Sequence, residues 1–137
     1  MKGIAELNNY WTDIYYHLHF SHQEKITHQV IRILQHIEKN NSIGIGELAD
    51  FLGVSHNTAS ENVKRIIKKG YLQKRRDPLD ERKVTLNLTE KGRDVLYRNT
   101  SLDVEKLKKV LTSLSSEDRQ LIELGFRTLS EGVKKCT

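Results

Sequence analysis

Residues Val84 to Leu88 alternate apolar and polar, in a chain whose apolar residues elsewhere recur mostly at spacings of three and four. Strict alternation belongs to a strand with one packed face, and the longer period to a helix with one packed stripe. The segment before it, Tyr71 to Arg76, reads as a second strand. Between them Lys74, Arg75, Arg76, Asp77, Asp80, Glu81, Arg82 and Lys83 form a charged tip. A two-stranded hairpin is marginal in water by itself, so it must lie against the helices on either side. Val84, Leu86 and Leu88 are expected to anchor it, with Thr85 and Asn87 facing away. Pro78, the only proline, stiffens the tip and leaves the rest of the chain free for long helices.

The helical pattern begins with Ile4, Leu7, Trp11, Ile14 and Leu18, a heptad-like seam widened by Tyr10, Tyr15 and Tyr16. A second helix is expected from about Glu24 to Lys39, with Ile26, Val30, Ile33, Leu34 and Ile37 inward. "NNSIGIG" breaks the pattern and leaves room for a very short strand at Ile43 to Ile45. "GELADFLG" is a short helix stopped by Gly53, and Ser55 is a good N-cap for a helix from His56 to about Gly70. Two short helices joined by a tight glycine-containing turn make a helix-turn-helix. After the hairpin, Thr89 caps a helix expected to carry Val95, Leu96, Leu102, Leu107, Val110 and Leu111, with a bend near Asn99. Ser115, with Asp118 three residues on, opens the last helix.

Charge singles out one region. Between His56 and Lys83 lie nine cations and four anions, so this window holds the whole net charge of +5. A basic excess confined to one segment of an otherwise neutral protein is the footprint of a polyanion. With 137 residues, 30% charged and 36% apolar, the chain fits one domain, or one domain with an oligomerisation element that completes its burial. No run of about 18 apolar residues is present, and the N-terminus does not read as a secretory signal. With one cysteine, Cys136, a cytoplasmic protein without membrane contact is expected.

A helix-turn-helix followed directly by a charged hairpin is the winged-helix arrangement, and the segment from "GELADFLGVS" to "LTEKG" resembles the MarR family of multiple antibiotic resistance regulators. That family's wing signature, an Asp-x-Arg followed at fixed spacing by Leu-Thr-x-x-Gly, corresponds here to Asp80, Arg82, Leu88, Thr89 and Gly92. Where relatives have Ser or Thr at the start of the short helix, this chain has Gly44, an acceptable cap. The resemblance implies a mainly α fold with a small β-hairpin wing, a winged helix-turn-helix at 24–98 flanked by dimerisation helices at 1–22 and 100–137. It further implies a homodimeric bacterial transcription regulator, a repressor released by an effector, on pseudo-palindromic double-stranded DNA.

On this expectation the helix from His56 enters the major groove. Ser55, His56, Asn57, Thr58, Ser60 and Asn62 are its candidates near base edges, while Lys64, Arg65 and Lys68 meet phosphates. In the wing, Arg75, Arg76 and Lys83 are assigned to phosphates and Arg82 to the minor groove, with Asp80 orienting Arg82 or a neighbouring cation. Tyr10, Trp11, Tyr15 and Tyr16 are candidates for a small-molecule effector pocket, against the plainer alternative that they are core.

Two other function classes compete. Five histidines, His17, His19, His22, His28 and His36, with Asp13 and Glu24 nearby, suggest a metal-responsive regulator, although His17 and His19 diverge on a helix and His28 lies past a turn, so that only a site built across elements could form. No cofactor is expected. A winged helix can also serve only for protein contacts, but such a wing would be apolar. The chain has no phosphate-binding glycine loop, no nucleophile beside a base and no metal-hydrolase motif, so an enzyme is not expected.

Overall fold

The computed structural model describes residues 1–21 and 24–137. Seven helices and one hairpin follow in the order α1 (Ile4–Leu18), α2 (His28–Lys39), α3 (Ile45–Leu52), α4 (His56–Lys68), β1 (Leu72–Arg76), β2 (Val84–Leu88), α5 (Glu90–Thr100), α6 (Val104–Ser113) and α7 (Ser116–Cys136). The expected fold class, mainly α with a winged helix-turn-helix, is what the chain adopts. It divides into two compact units: residues 19–101, and residues 1–18 together with 102–137.

The unit at 19–101 has a closed core. Ile33, Leu34 and Ile37 of α2, Leu48 of α3, Val63 and Ile66 of α4, Leu72, Leu86 and Leu88 of the hairpin, and Val95 and Leu96 of α5 form one buried cluster. The hairpin is antiparallel, with Leu72 opposite Leu88 and Arg76 opposite Val84. Its inner end is therefore apolar and its outer end charged. Gly53, at φ 68°, takes the left-handed conformation that stops α3 and turns the chain into α4. In the other unit α1, α6 and α7 have no buried residue at all.

Several sequence expectations are corrected. The second helix begins at His28, not near Glu24, because the Thr27 side chain accepts the Val30 N–H and caps it there. The proposed strand at Ile43 to Ile45 reduces to one bond, Leu86 N–H to the Ile43 carbonyl at 2.8 Å, while Ile45 already opens α3. Val84 does not anchor the hairpin: it is 42% exposed, and Thr85 is buried in its place. The Thr85 hydroxyl donates to the Arg75 carbonyl, which lets a polar side chain lie inside without an unmet bond. Finally, the helix after Thr89 is not continuous with a bend near Asn99. It ends at Thr100, and Asp103 caps a separate α6 by accepting the Glu105 N–H at 3.0 Å.

Candidate nucleic-acid interface

Recognition-helix geometry in α4 starts from its cap. Ser55 Oγ accepts the Thr58 N–H at 3.1 Å and donates to Thr58 Oγ1 at 3.0 Å. Ser55 and Thr58 are thus engaged with each other, which fixes the first turn. Ala59, Val63 and Ile66 bury one face in the core. On the opposite face Asn57, Glu61, Lys64, Arg65 and Lys68 are exposed in a stripe at helical spacing, with His56 and Thr58 beside it. Ser60 and Asn62 are half-buried at its edges. Glu61 lies within reach of Lys64, at 3.5 Å, an exposed pair worth little in stability.

The far end of α4 is stitched to α5. Thr89 Oγ1 donates to the Gly70 carbonyl at 2.5 Å and accepts the Gly92 N–H, and the Thr89 N–H bonds the Tyr71 carbonyl. Lys91 Nζ donates to the Lys69 carbonyl and lies over the Tyr71 ring. A Cβ at Gly92 would stand 2.1 Å from the Tyr71 carbonyl oxygen, so only glycine lets α5 approach this closely. These contacts give Thr89 and Gly92 a mechanical role, tying α5 to the segment between α4 and the hairpin, while Leu88 is buried in the core.

At the other end of the short helix, Gly44 offers no side chain as a cap. Its own N–H donates to Glu47 Oε2 at 2.7 Å, the reciprocal half of a capping box. That bond, more than any other cause, holds the Glu47 carboxyl below its usual range.

The wing tip is closed by a ladder of its own. The Asp77 N–H donates to the Lys83 carbonyl, the Lys83 N–H to the Asp80 carbonyl, and the Asp80 N–H to the Asp77 carbonyl. Asp80 Oδ1 accepts both the Arg82 backbone N–H at 3.1 Å and Arg82 Nε at 3.3 Å. Arg82 is thereby held at its base while its side chain stays 93% exposed. Arg76 Nη1 donates to the Glu81 carbonyl at 2.8 Å, bracing the tip from the first strand. Arg75 and Lys83 are exposed. The Asp77 and Asp80 carboxylates therefore serve turns and one guanidinium, while Glu81, Arg82 and Lys83 are exposed.

The aromatic candidates separate. Tyr10 and Trp11 line an apolar groove of about 660 Å³ with Leu7, Ile14, Leu121, Ile122, Phe126 and Leu129 of the same unit. Tyr15 stacks on Trp11 at 6.1 Å outside that lining, and Tyr16, 72% exposed, meets His17 edge-on. Among the described residues no three His, Cys, Asp or Glu side chains converge as a metal site, and His22 lies outside those residues. His36 instead stacks face to face on Phe51, with ring centroids 3.7 Å apart. Sequence reasoning passed over this pair, as it did Lys91 and Glu47. Their signal is only spatial, apart from the Glu47 position three residues after a cap. No helix among the described residues is long and apolar enough to cross a membrane.

Against known proteins, the model of the MarR family matches residues 25–83, from before α2 to the wing tip, stopping short of β2. The transcriptional regulator Tm0710 from Thermotoga maritima is 30% identical, superposes with a TM-score of 0.59, and aligns over 80% of this chain and 78% of its own. FabT of Streptococcus pneumoniae, solved in complex with DNA, has the same fold at 22% identity, TM-score 0.58, over 97% of this chain and 99% of that one. The HTH-type transcriptional regulator YfiV of Bacillus subtilis is 25% identical over 109 residues, 77% of this chain and 66% of YfiV, so the chain spans about two thirds of that relative's length. With its Asp80-x-Arg82 wing, its Leu88-Thr89-x-x-Gly92 seam and these likenesses, the chain belongs to the MarR family of transcriptional regulators.

Proposed function

We propose that this protein is a homodimeric, sequence-specific regulator of double-stranded DNA in the bacterial cytoplasm, a repressor that an effector releases. The observation that carries this reading is the pairing, within one compact unit, of two exposed basic features. One is the α4 stripe of Asn57, Lys64, Arg65 and Lys68, and the other is the wing with Arg82 held by Asp80. In this reading α4 enters the major groove with Asn57 and His56 toward base edges. Lys64, Arg65, Lys68, Arg75, Arg76 and Lys83 neutralise phosphates, and Arg82 enters the minor groove where the negative potential is strongest. The complex of FabT with DNA supports it by analogy of fold.

Dimerisation is supported by the apolar face that α1 and α7 leave open, and an effector would act by changing the spacing of two recognition helices on neighbouring half-sites.

The test is recovery of sheared genomic DNA by the purified chain at near-physiological salt with excess competitor. Enrichment of a shared pseudo-palindrome is expected. Arg82→Ala should then weaken binding to the recovered duplex by about 1–3 kcal/mol without changing the unfolding midpoint. Recovery without any shared site, or an unchanged affinity of the Arg82 variant, defeats the reading.

A further inference from the structure

The wing tip carries an apolar side chain that is more exposed than any other large apolar residue described except Met1. Leu79 is 96% exposed, between Pro78 and Asp80. A single exposed leucine is ordinary on a protein surface, so exposure by itself decides nothing. Its setting does. The Leu79 N–H is held by Asp77 Oδ1 at 2.9 Å, and the tip around it is closed by the bonds from Asp77, Asp80 and Lys83. The same bonds turn the Asp77 and Asp80 carboxylates toward backbone N–H groups and Arg82. What the tip presents is therefore an apolar side chain on a hydrogen-bonded turn, with the exposed cations Arg82 and Lys83 and one exposed anion, Glu81, close by in sequence. That combination suits a surface with anionic edges and apolar walls.

We propose that Leu79 is the wing's apolar contact with DNA, packing on the deoxyribose walls of the minor groove beside Arg82 and so reading the width of that groove. This rests on the DNA-binding reading above. The walls of the minor groove are the C–H faces of deoxyribose, bounded by phosphates, and the groove narrows in A·T-rich tracts. A branched apolar side chain gains van der Waals contact with both walls only where the groove is narrow. Arg82 is drawn to the same narrow tract by potential, so the two side chains would report one DNA feature by different physics. A protein partner fits less well: Pro78 and Leu79 offer far less than the ~800 Å² per partner of a stable interface. A second copy of the chain is better served by the α1 and α7 face, where most of the exposed apolar side chains lie.

The experiment compares the full-length chain with its Leu79→Ala, Leu79→Met and Arg82→Ala variants, on the duplex that the unaltered chain recovers from a random-sequence library, across a salt series. Leu79→Ala should lose roughly tenfold in affinity, the scale of burying most of one leucine side chain, while the slope of affinity against salt stays unchanged. Leu79→Met should restore most of it. Arg82→Ala, by contrast, should reduce that slope by about one. Repeated selection with Leu79→Ala should lose its A·T preference at the wing positions only. Equal binding by the alanine variant, within about twofold, overturns the proposal while leaving the DNA reading intact. A changed salt slope in Leu79→Ala also overturns it, because the leucine would then act only through Arg82. If the unaltered chain recovers no duplex, the DNA reading fails first and takes this one with it.

Discussion

The two units of this chain resolve the same problem, burial of apolar side chains, to different degrees. Residues 19–101 hold every buried apolar side chain among the described residues. The unit of α1, α6 and α7 holds none, yet it carries thirteen of the seventeen large apolar side chains that stand exposed. Helices with such faces are not stable alone in water, since their propensity does not outweigh the ordering entropy without tertiary burial. The first unit is therefore finished by its own chain, and the second requires something further. In the proposed homodimer that something is a second copy, and the contrast becomes a division of labour between a compact reader of DNA and an element that joins two readers.

The comparison is easiest to break at Gly92. There α5 presses on the Tyr71 carbonyl, and an added Cβ would sit 2.1 Å from that oxygen and 2.9 Å from the carbonyl carbon. Backbone cannot move aside as a side-chain end can, so Gly92→Ala should destabilise the 19–101 unit by about 3 kcal/mol or more, through a shift of α5 away from the end of α4. Denaturant titration followed by far-ultraviolet circular dichroism measures it. An unchanged midpoint would mean that this unit is looser than its core suggests, and the contrast between the units would narrow.

The next effect belongs to the open unit. Leu129 on α7 is 66% exposed and lines the apolar groove with Trp11 and Phe126. Leu129→Glu puts a carboxylate where a second copy would bury it unpaired. Subunit dissociation should rise by roughly a hundredfold, as sedimentation at graded concentration would detect. The core of residues 19–101 has no part in this change, so its amide-exchange protection should remain. A variant as dimeric as the unaltered chain would remove this face from the proposed interface.

How far the sequence was readable follows the same division. The caps at Ser55, Thr89 and Ser115 and the pairing of the hairpin were legible because each rests on local chemistry: a hydroxyl before a helix, or alternation across a turn. The break between α5 and α6 was not. Apolar residues continue at helical spacing through Leu102, and the decisive signal was Asp103, a cap with no unusual neighbour. Val84 was misjudged because alternation tells which residues share a face, but not how far along the strand the body of the protein reaches. Charge and spacing offered Arg82 or a neighbouring cation as the partner of Asp80, and the partner is Arg82. The meeting of His36 with Phe51 and of Lys91 with Tyr71 depends on how α2 packs near α3 and α5 near β1, which no local pattern encodes.

The smallest expected effect sharpens the comparison at the surface of the closed unit. His36 lies flat on Phe51, its Nδ1 is 3.3 Å from Asn40 Nδ2, and the Arg32 guanidinium stands 5.1 Å from the centre of the same Phe51 ring. Burial lowers the His36 pKa from its ordinary 6.5, so the folded protein holds the imidazole neutral at a pH where the unfolded chain would already protonate it. The unfolded state then binds more protons, and stability falls as pH falls. The contribution is complete above the unfolded value of 6.5, declines as pH drops through it toward the folded value, and does not decline further below both. Thermal unfolding at about pH 7.5 and about pH 5.5 should therefore show a modest drop in midpoint, of which a part disappears in His36→Gln. The remaining part belongs to other groups and is common to both proteins. If the drop is the same size in the variant, the imidazole is as free to titrate in the fold as in the unfolded chain. The seam between α2 and α3 would then be open to water, although the helices beneath it are packed.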